Sequence, residues 1–189
     1  MNPDIQRELI PRGDTLRLIE ALDGMKAKFV DAAGQWQLLD DAGHVPSSPA
    51  YAELIQHAAD AQALCGDIVQ LTAEFARTAH STNRDGSAVL AHLATAVTMS
   101  GFAAPYFAET AESALALPRA SGPIDRQYLE NRMVLNHGTA RAYLRRTSES
   151  LRDAVRELHS HLEFHRFFPT PSRQETPAPP PPGPSGRHR

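Results

Sequence analysis

The 189-residue chain has a formal net charge of −3 and 41% hydrophobic residues, which is enough for one domain with a substantial core. This slight negative charge provides no overall field that would attract nucleic acid or an anionic membrane surface. Its single cysteine excludes an internal disulfide, and the charged N-terminal segment lacks the apolar stretch of a secretory signal. We therefore expect a cytoplasmic protein that binds no nucleic acid.

The apolar residues are of a kind that favours helices. Aromatic residues make up only 6% of the chain, and alanine supplies much of the apolar content. Alanine suits closely packed helices, whereas strands favour β-branched and aromatic residues. Only two of the 19 basic residues are lysines, which together with the abundant alanine is typical of coding in a high-GC bacterium.

Residues 1–13 are predicted to form a short helical turn or an N-terminal arm, which ends at Pro11 and Gly13. Asp14 is a suitable N-cap, and apolar residues at rough helical spacing after it predict a first helix over 14–31. The segment 35–39 either continues this helix after a break or forms half of a small hairpin. The following residues, to Pro49, read as a loop.

A second helix is predicted over 49–81, because Ser48 is a suitable N-cap and Pro49 suits the first helical position. Its apolar residues alternate at spacings of three and four, which indicates a continuous buried stripe. This stripe consists of Tyr51, Leu54, Ala58, Ala61, Cys65, Ile68, Thr72, Phe75 and Ala79. Residues 82–86 are predicted to form a turn.

Residues 87–108 contain no charged side chain, and a helix of 22 residues is long enough to span a bilayer. Alanine is the commonest residue there, and polar residues such as His92 and Ser100 interrupt it, whereas real spans depend on larger apolar residues. We therefore expect a helix surrounded by other helices and kinked at Pro105, with membrane contact as the alternative.

The last helix is predicted over 123–166, and a proline-rich tail follows it. The buried stripe of this helix consists of Met133, His137, Ala140, Leu144, Thr147, Leu151, Ala154, Leu158, His161 and His165. Residues 169–189 contain eight prolines and no segment that can bury a core, which predicts a disordered tail.

Histidines near the end of the last helix are the candidate metal ligands. His161 and His165 are four residues apart and therefore project from one side of the helix. A third ligand from the second helix, His57 or Glu53, would complete a site for a divalent ion such as zinc or nickel. The spacing of His57, in IQHAADAQAL, and the HxxxH pair resembles that of the DinB-like metal-binding bundles. This resemblance implies a metal-dependent enzyme that uses His57, His161 and His165.

A structural interpretation of the same histidines competes with the metal site. Imidazoles and Arg166 at a helix C-terminus interact favourably with the helix dipole, and this requires no ligand. His92 and His137 are predicted to be hydrogen-bonded core histidines, and Cys65 a small buried residue. The sequence contains no phosphate-binding glycine loop, zinc-binding cysteine pair or nucleophile elbow, so no catalytic residue is predicted.

Taken together, these patterns predict an all-α protein: an antiparallel bundle of three to four long helices over 14–168, with a disordered tail. The function expected is that of a non-enzymatic helical interaction or accessory protein, without a cofactor. Helices longer than 30 residues favour self-association, so a homo-oligomer or a partner protein is expected. The alternatives are the metal-dependent bundle enzyme and a membrane-associated accessory protein of a transfer or secretion system, which would use 87–108.

Overall fold

The computed structural model describes residues 10–167, which form four long helices. The helices are α1 (Arg12–Gln35), α2 (Tyr51–Ala76), α3 (Arg84–Ala116) and α4 (Pro123–Phe167), with one turn of 3₁₀ helix at Leu117–Arg119. No strand occurs among the described residues, and the predicted all-α architecture is confirmed. The predicted tail over 169–189, and most of the predicted arm, lie outside the described residues.

Local hydrogen bonds explain where the helix bounds differ from the predicted ones. Helix α1 continues without a break to Gln35, and the residues after it form neither helix nor strand. Helix α2 ends at Ala76, because the Thr78 and Ser81 hydroxyls donate to main-chain carbonyls at the end of the helix. Helix α3 begins at Arg84, earlier than predicted, because the Asn83 side chain accepts a hydrogen bond from the Gly86 amide at 2.7 Å.

The turn between α2 and α3 requires a glycine at position 86. A Cβ at this position would lie 2.0 Å from the His80 carbonyl oxygen and 2.9 Å from the Asn83 side chain. Because the first of these neighbours is backbone, any larger residue would displace the turn between α2 and α3. The close approach of two backbone segments therefore fixes where α3 can start.

Each helix runs antiparallel to its neighbour, as predicted. Helix α4 packs against α1 on one side and α3 on the other, and α3 also packs against α2. Helices α1 and α2 barely meet, although the Lys28 ammonium lies 3.2 Å from the Asp67 carboxylate across the gap. A cavity of about 290 Å³ remains between their ends, with Ile10, Leu18, Leu71 and Phe75 among its walls. The bundle is therefore open along its α1–α2 side.

The core is built mainly from the stripes that the sequence predicts, but Tyr51 and Ala79, the end residues of the predicted α2 stripe, are exposed. Every predicted stripe residue of α4 from Met133 to His161 is buried. Alanines such as Ala61, Ala96 and Ala140 are fully buried, and their small side chains let neighbouring helices approach closely. At 45 residues, α4 is about 67 Å long. Its first turns extend beyond the core, where Ile124 is 82% exposed.

The expectation that α3 is surrounded on all sides by other helices is wrong. Only 33% of its most apolar stretch is buried, because two neighbouring helices cannot cover the whole circumference of a third. By length and composition alone, the segment Arg84–Arg119 could also cross a membrane, a test that core helices of soluble proteins pass as well. Helix α3 continues through the exposed Pro105.

Two leucines on α4 test the position of the core. Leu144 is fully buried and Leu135 is 69% exposed. We predict that Leu144→Ala lowers the free energy of unfolding by about 2–5 kcal/mol, because the cavity it leaves adds to the lost burial. Leu135→Ala is expected to change it by less than about 0.5 kcal/mol. Urea unfolding followed by circular dichroism measures both, and equal losses would contradict this packing.

Candidate functional sites

The histidine clasp, formed by His161, Asp85 and the main chain of Ile10, joins three parts of the chain at one end of the bundle. The His161 side chain is only 1% exposed, and its Nδ1 lies 2.5 Å from a carboxylate oxygen of Asp85 on α3. Its Nε2 accepts a hydrogen bond from the Ile10 amide at 3.0 Å. The same Nε2 also lies 3.2 Å from the Ile10 carbonyl oxygen, so both main-chain polar groups of Ile10 face the imidazole.

Both nitrogens of His161 are therefore occupied by hydrogen bonds within the protein. The clasp ties the end of α4 to the start of α3 and to the segment that precedes α1. The neighbouring His159 is exposed, and the side chain of His165 lies outside the described residues. In this structure His161 acts as a structural residue that satisfies a buried main-chain amide.

We predict that His161→Ala lowers the free energy of unfolding by about 2–4 kcal/mol, because it removes the ring to which the Ile10 amide donates and opens a cavity. His159→Ala, two residues away on the exposed face, is expected to have an effect below about 0.5 kcal/mol. Chemical denaturation of the two variants at pH 7 makes the comparison. A similar stability for both would show that the clasp does not hold the bundle together.

A second group, here called the aromatic cluster, lies toward the other end and consists of Trp36, His57, Phe107 and His137. Each of the four helices, or the residue that follows it, contributes one ring. Trp36 follows α1 and stacks on the His57 ring, with centroids 5.0 Å apart and planes inclined by 10°. Phe107 of α3 meets Trp36, His57 and His137 edge to face at 5.2, 5.8 and 5.2 Å. The His57 and His137 centroids are 6.1 Å apart.

The two histidines of the aromatic cluster have ring nitrogens without a protein partner. Nδ1 of His57 and Nε2 of His137 are buried and make no hydrogen bond. Burial lowers the pKa of His137 to about 4, with smaller contributions from His57 and the Arg141 guanidinium. Burial also lowers the pKa of His57, although Asp60 and Glu53 partly oppose this. Both imidazoles are therefore neutral near pH 7, and each retains an available lone pair.

Arg141 lies one turn after His137 and serves a structural purpose. Its Nε donates to the Ala33 carbonyl at 2.7 Å, and one terminal nitrogen donates to the Gln37 side chain at 3.1 Å. A guanidinium at the C-terminal end of α1 satisfies an orphan carbonyl and interacts favourably with the helix dipole. This bond fixes the chain at the point where Trp36 enters the aromatic cluster.

The structure does not bring the predicted metal ligands His57 and His161 together. His57 lies beside His137, and 24 residue steps along α4 separate His137 from His161, a rise of about 36 Å. Glu53 precedes His57 by one turn on α2 and is no closer to His161. Among the side chains that the structure describes, those of residues 10–164, no group of three or more from histidine, cysteine, aspartate or glutamate is placed to hold one metal ion.

The lowered pKa of His137 predicts a loss of stability in acid. Because the unfolded chain binds a proton near pH 6.5 and the folded chain only near pH 4, the free energy of unfolding falls as the pH drops between these values. His137 contributes about 3 kcal/mol to this change in the free energy of unfolding. The full stability is present above pH 6.5, and this part of it is lost as the pH falls toward 4.

Urea midpoints measured from pH 7.5 to pH 4 test this dependence. His137→Gln is expected to flatten most of it, since glutamine does not titrate in this range. His159→Gln, at an exposed position of the same helix, is expected to retain the wild-type profile. An unchanged profile in His137→Gln would refute the assignment.

The outer surface of α2 and α3, here called the neutral face, carries no charge along most of its length. On each helix, uncharged and mostly small residues recur at alternating spacings of four and three and stand exposed, except for the half-buried Ala73. The face consists of Ile55, Ala59, Gln62, Gly66, Val69, Ala73 and Ala76 on α2 and Ser87, Ala91, Ala94, Thr98, Gly101, Pro105 and Ala108 on α3. Both stripes span 21 residue steps, about 32 Å.

The charges of α2 and α3 are segregated away from the neutral face. All four charged residues of α2 are acidic, and they recur every seven residues on its α1 side, at Glu53, Asp60, Asp67 and Glu74. Those of α3 lie near its ends, at Arg84, Asp85, Glu109 and Glu112. A Cβ built on Gly101 of the α3 stripe would lie 4.0 Å from the sulfur of Cys65, the residue before Gly66 of the α2 stripe. The rest of the bundle surface, on α1 and α4, is densely charged.

Comparisons with known proteins add no family to this description. No family model matches the chain, and no curated protein or solved structure matches it.

Sequence reasoning missed both the aromatic cluster and the neutral face. A signal for the neutral face exists, because its α2 stripe follows the predicted buried stripe by one residue throughout, at a rotation of about 100°. The pairing of His57 with His137 carries no such signal. It depends on which helices become neighbours and on the course of the loop that bears Trp36.

Proposed function

We propose that this protein is a non-enzymatic helical interaction protein that self-associates, and that its neutral face packs against the neutral face of a second copy. The observation that carries the proposal is the absence of any charge from two exposed, adjoining stripes, each about 32 Å long. An uncharged surface of this size on a folded protein is typical of an interaction site. The other sides of the bundle carry the charges that keep it in solution.

The size of the neutral face is sufficient for a specific dimer. Two helices side by side are about 20 Å wide, so a length of about 32 Å gives about 640 Å² on each copy. A symmetric pair would bury about 1,300 Å² in total, within the range of specific protein–protein interfaces. A partial overlap of the two faces would fall near the lower limit of that range.

The composition of the neutral face suits contact with an identical copy. In a two-fold symmetric dimer the same surface lies on both sides of the interface. A charged residue in that surface would therefore face either its own copy or another residue of the same surface on the partner. The neutral face avoids this repulsion, and the amide of Gln62, its one long polar side chain, can both donate and accept hydrogen bonds. Its alanines and glycines let helices approach closely, while Ile55 and Val69, 38% and 45% exposed, supply larger apolar area.

Gly66 offers a substitution that tests the interface without disturbing the fold. It is exposed in the middle of the α2 stripe, and a Cβ added there meets no atom within 4 Å. We predict that Gly66→Glu weakens self-association by at least about 100-fold, because each copy would bury a charge without a partner. Gly24 on α1 also has open space around it, so Gly24→Glu is the matched control.

Sedimentation equilibrium or light scattering over a range of concentrations measures the mass. We expect the wild-type chain and Gly24→Glu to show twice the mass of the 20.7 kDa chain, and Gly66→Glu to show one chain. A wild-type monomer at all concentrations would refute the proposal, and so would a Gly66→Glu dimer as stable as that of the wild type. A third outcome would also refute the dimer: the wild-type chain is a monomer that sediments with neutral phospholipid vesicles, and Gly66→Glu does not sediment with them. The neutral face would then be a membrane-binding surface.

A further inference from the structure

We propose that His57 and His137 form a binding site for one divalent transition-metal ion of the kind that imidazole prefers, such as nickel or zinc. This inference does not depend on self-association, because the aromatic cluster lies inside the bundle and the neutral face lies outside it. The proposed site retains His57, which the sequence predicted as a ligand. Its second ligand is His137, which was predicted as a core histidine, instead of His161 and His165.

The distance between the two rings fits a shared ion. A metal held about 2.0–2.1 Å from a ring nitrogen lies roughly 3.2 Å from the ring centre, so two imidazoles on one ion have centres at most about 6.4 Å apart. The His57 and His137 centroids are 6.1 Å apart. The separation of the two rings is therefore within the limit for two imidazoles that share one ion.

The unpartnered nitrogens are a reason to place a ligand here. His137 is only 3% exposed, and its buried Nε2 has no hydrogen-bond partner. Nδ1 of His57 is also buried and also lacks a partner. A buried polar atom without a hydrogen bond destabilises the fold, because it has lost its contact with water and gained nothing in return. An ion that accepts both lone pairs would remove this cost at both rings.

The protonation state and the surroundings of the two rings favour a metal. Burial lowers both pKa values, so protons do not compete for the lone pairs near pH 7. Phe107 and Trp36 surround the pair with apolar rings that restrict the access of water. By contrast, the nitrogens of His161 are held by hydrogen bonds at the other end of the bundle.

His57 lies at the edge of the aromatic cluster that faces solvent. A cleft of about 440 Å³ beside this residue is lined by Trp36, Glu53, Gln56 and Asp60. The carboxylates of Glu53 and Asp60 lie one helical turn before and after His57, so the cleft attracts cations. Water from the cleft would fill the coordination positions that two histidines leave open, as in other metal sites with open positions.

Trp36 provides a direct measurement, because it is the only tryptophan in the chain and its ring stacks on His57. We expect NiCl₂ added to the untagged, chelator-treated full chain to quench its fluorescence saturably, with one ion bound per chain. Titration calorimetry with ZnCl₂ gives an independent stoichiometry. Quenching that rises linearly without saturation, or no heat with zinc, would overturn the proposal.

Variants distinguish this site from the histidines near the end of α4. His57→Gln and His137→Gln are each expected to raise the half-saturating nickel concentration at least about tenfold. The double variant His159→Gln/His165→Gln and the single variant His92→Gln are expected to titrate like the wild type. If the double variant abolishes saturation while His57→Gln leaves it intact, the proposal is wrong.

His57 is half-buried and its substitution disturbs the core less than that of His137. His57→Gln therefore decides the outcome if His137→Gln does not fold, with circular dichroism as the check on folding. Binding to His57→Gln with unchanged affinity in a folded chain would overturn the proposal. Failure of metal binding would leave the oligomer measured with Gly66→Glu unaffected, so the two proposals can fail separately.

Discussion

The packing of α4 against α3 is the contact on which the rest of the structure depends. It is the most extensive contact between helices, and it continues from the clasp at His161 to the polar bonds of Glu109 and Glu112 with Asn136 and Arg132. Helix α1 packs on the other side of α4, and α2 on the other side of α3. Because α1 and α2 hardly touch, the pair formed by α3 and α4 must hold both of them in place.

Periodicity made the helices and the core of α4 predictable. Spacings of three and four between apolar residues identified the buried stripe from Met133 to His161, because a long helix between two partners buries one continuous stripe. The helix ends were less predictable. They depend on single side chains, such as the Asn83 cap and the Ser81 hydroxyl, whose hydrogen bonds do not alter the apolar pattern.

The candidate sites could be predicted only in part, for two physical reasons. The period of a helix shows which residues share a face, but it does not show which helix lies opposite that face. His137 and His161 therefore belong to one predicted stripe, although one meets the rings of His57 and Phe107 and the other meets Asp85. In addition, α3 has too few neighbours to be covered, so its uncharged sequence produced an exposed surface as well as a core.

The clasp at His161 also determines where the two ends of the described chain lie. Ile10 donates its amide to a histidine only six residues before the end of α4, so the polypeptide arrives and departs at the same pole of the bundle. The segments that precede Ile10 and follow Phe167 are joined to the bundle at that pole. The aromatic rings of Trp36 and His57 flank a cleft toward the opposite pole, away from both points of departure. Labels placed at the two ends of the described chain would report on one shared environment, far from the two imidazoles of the aromatic cluster.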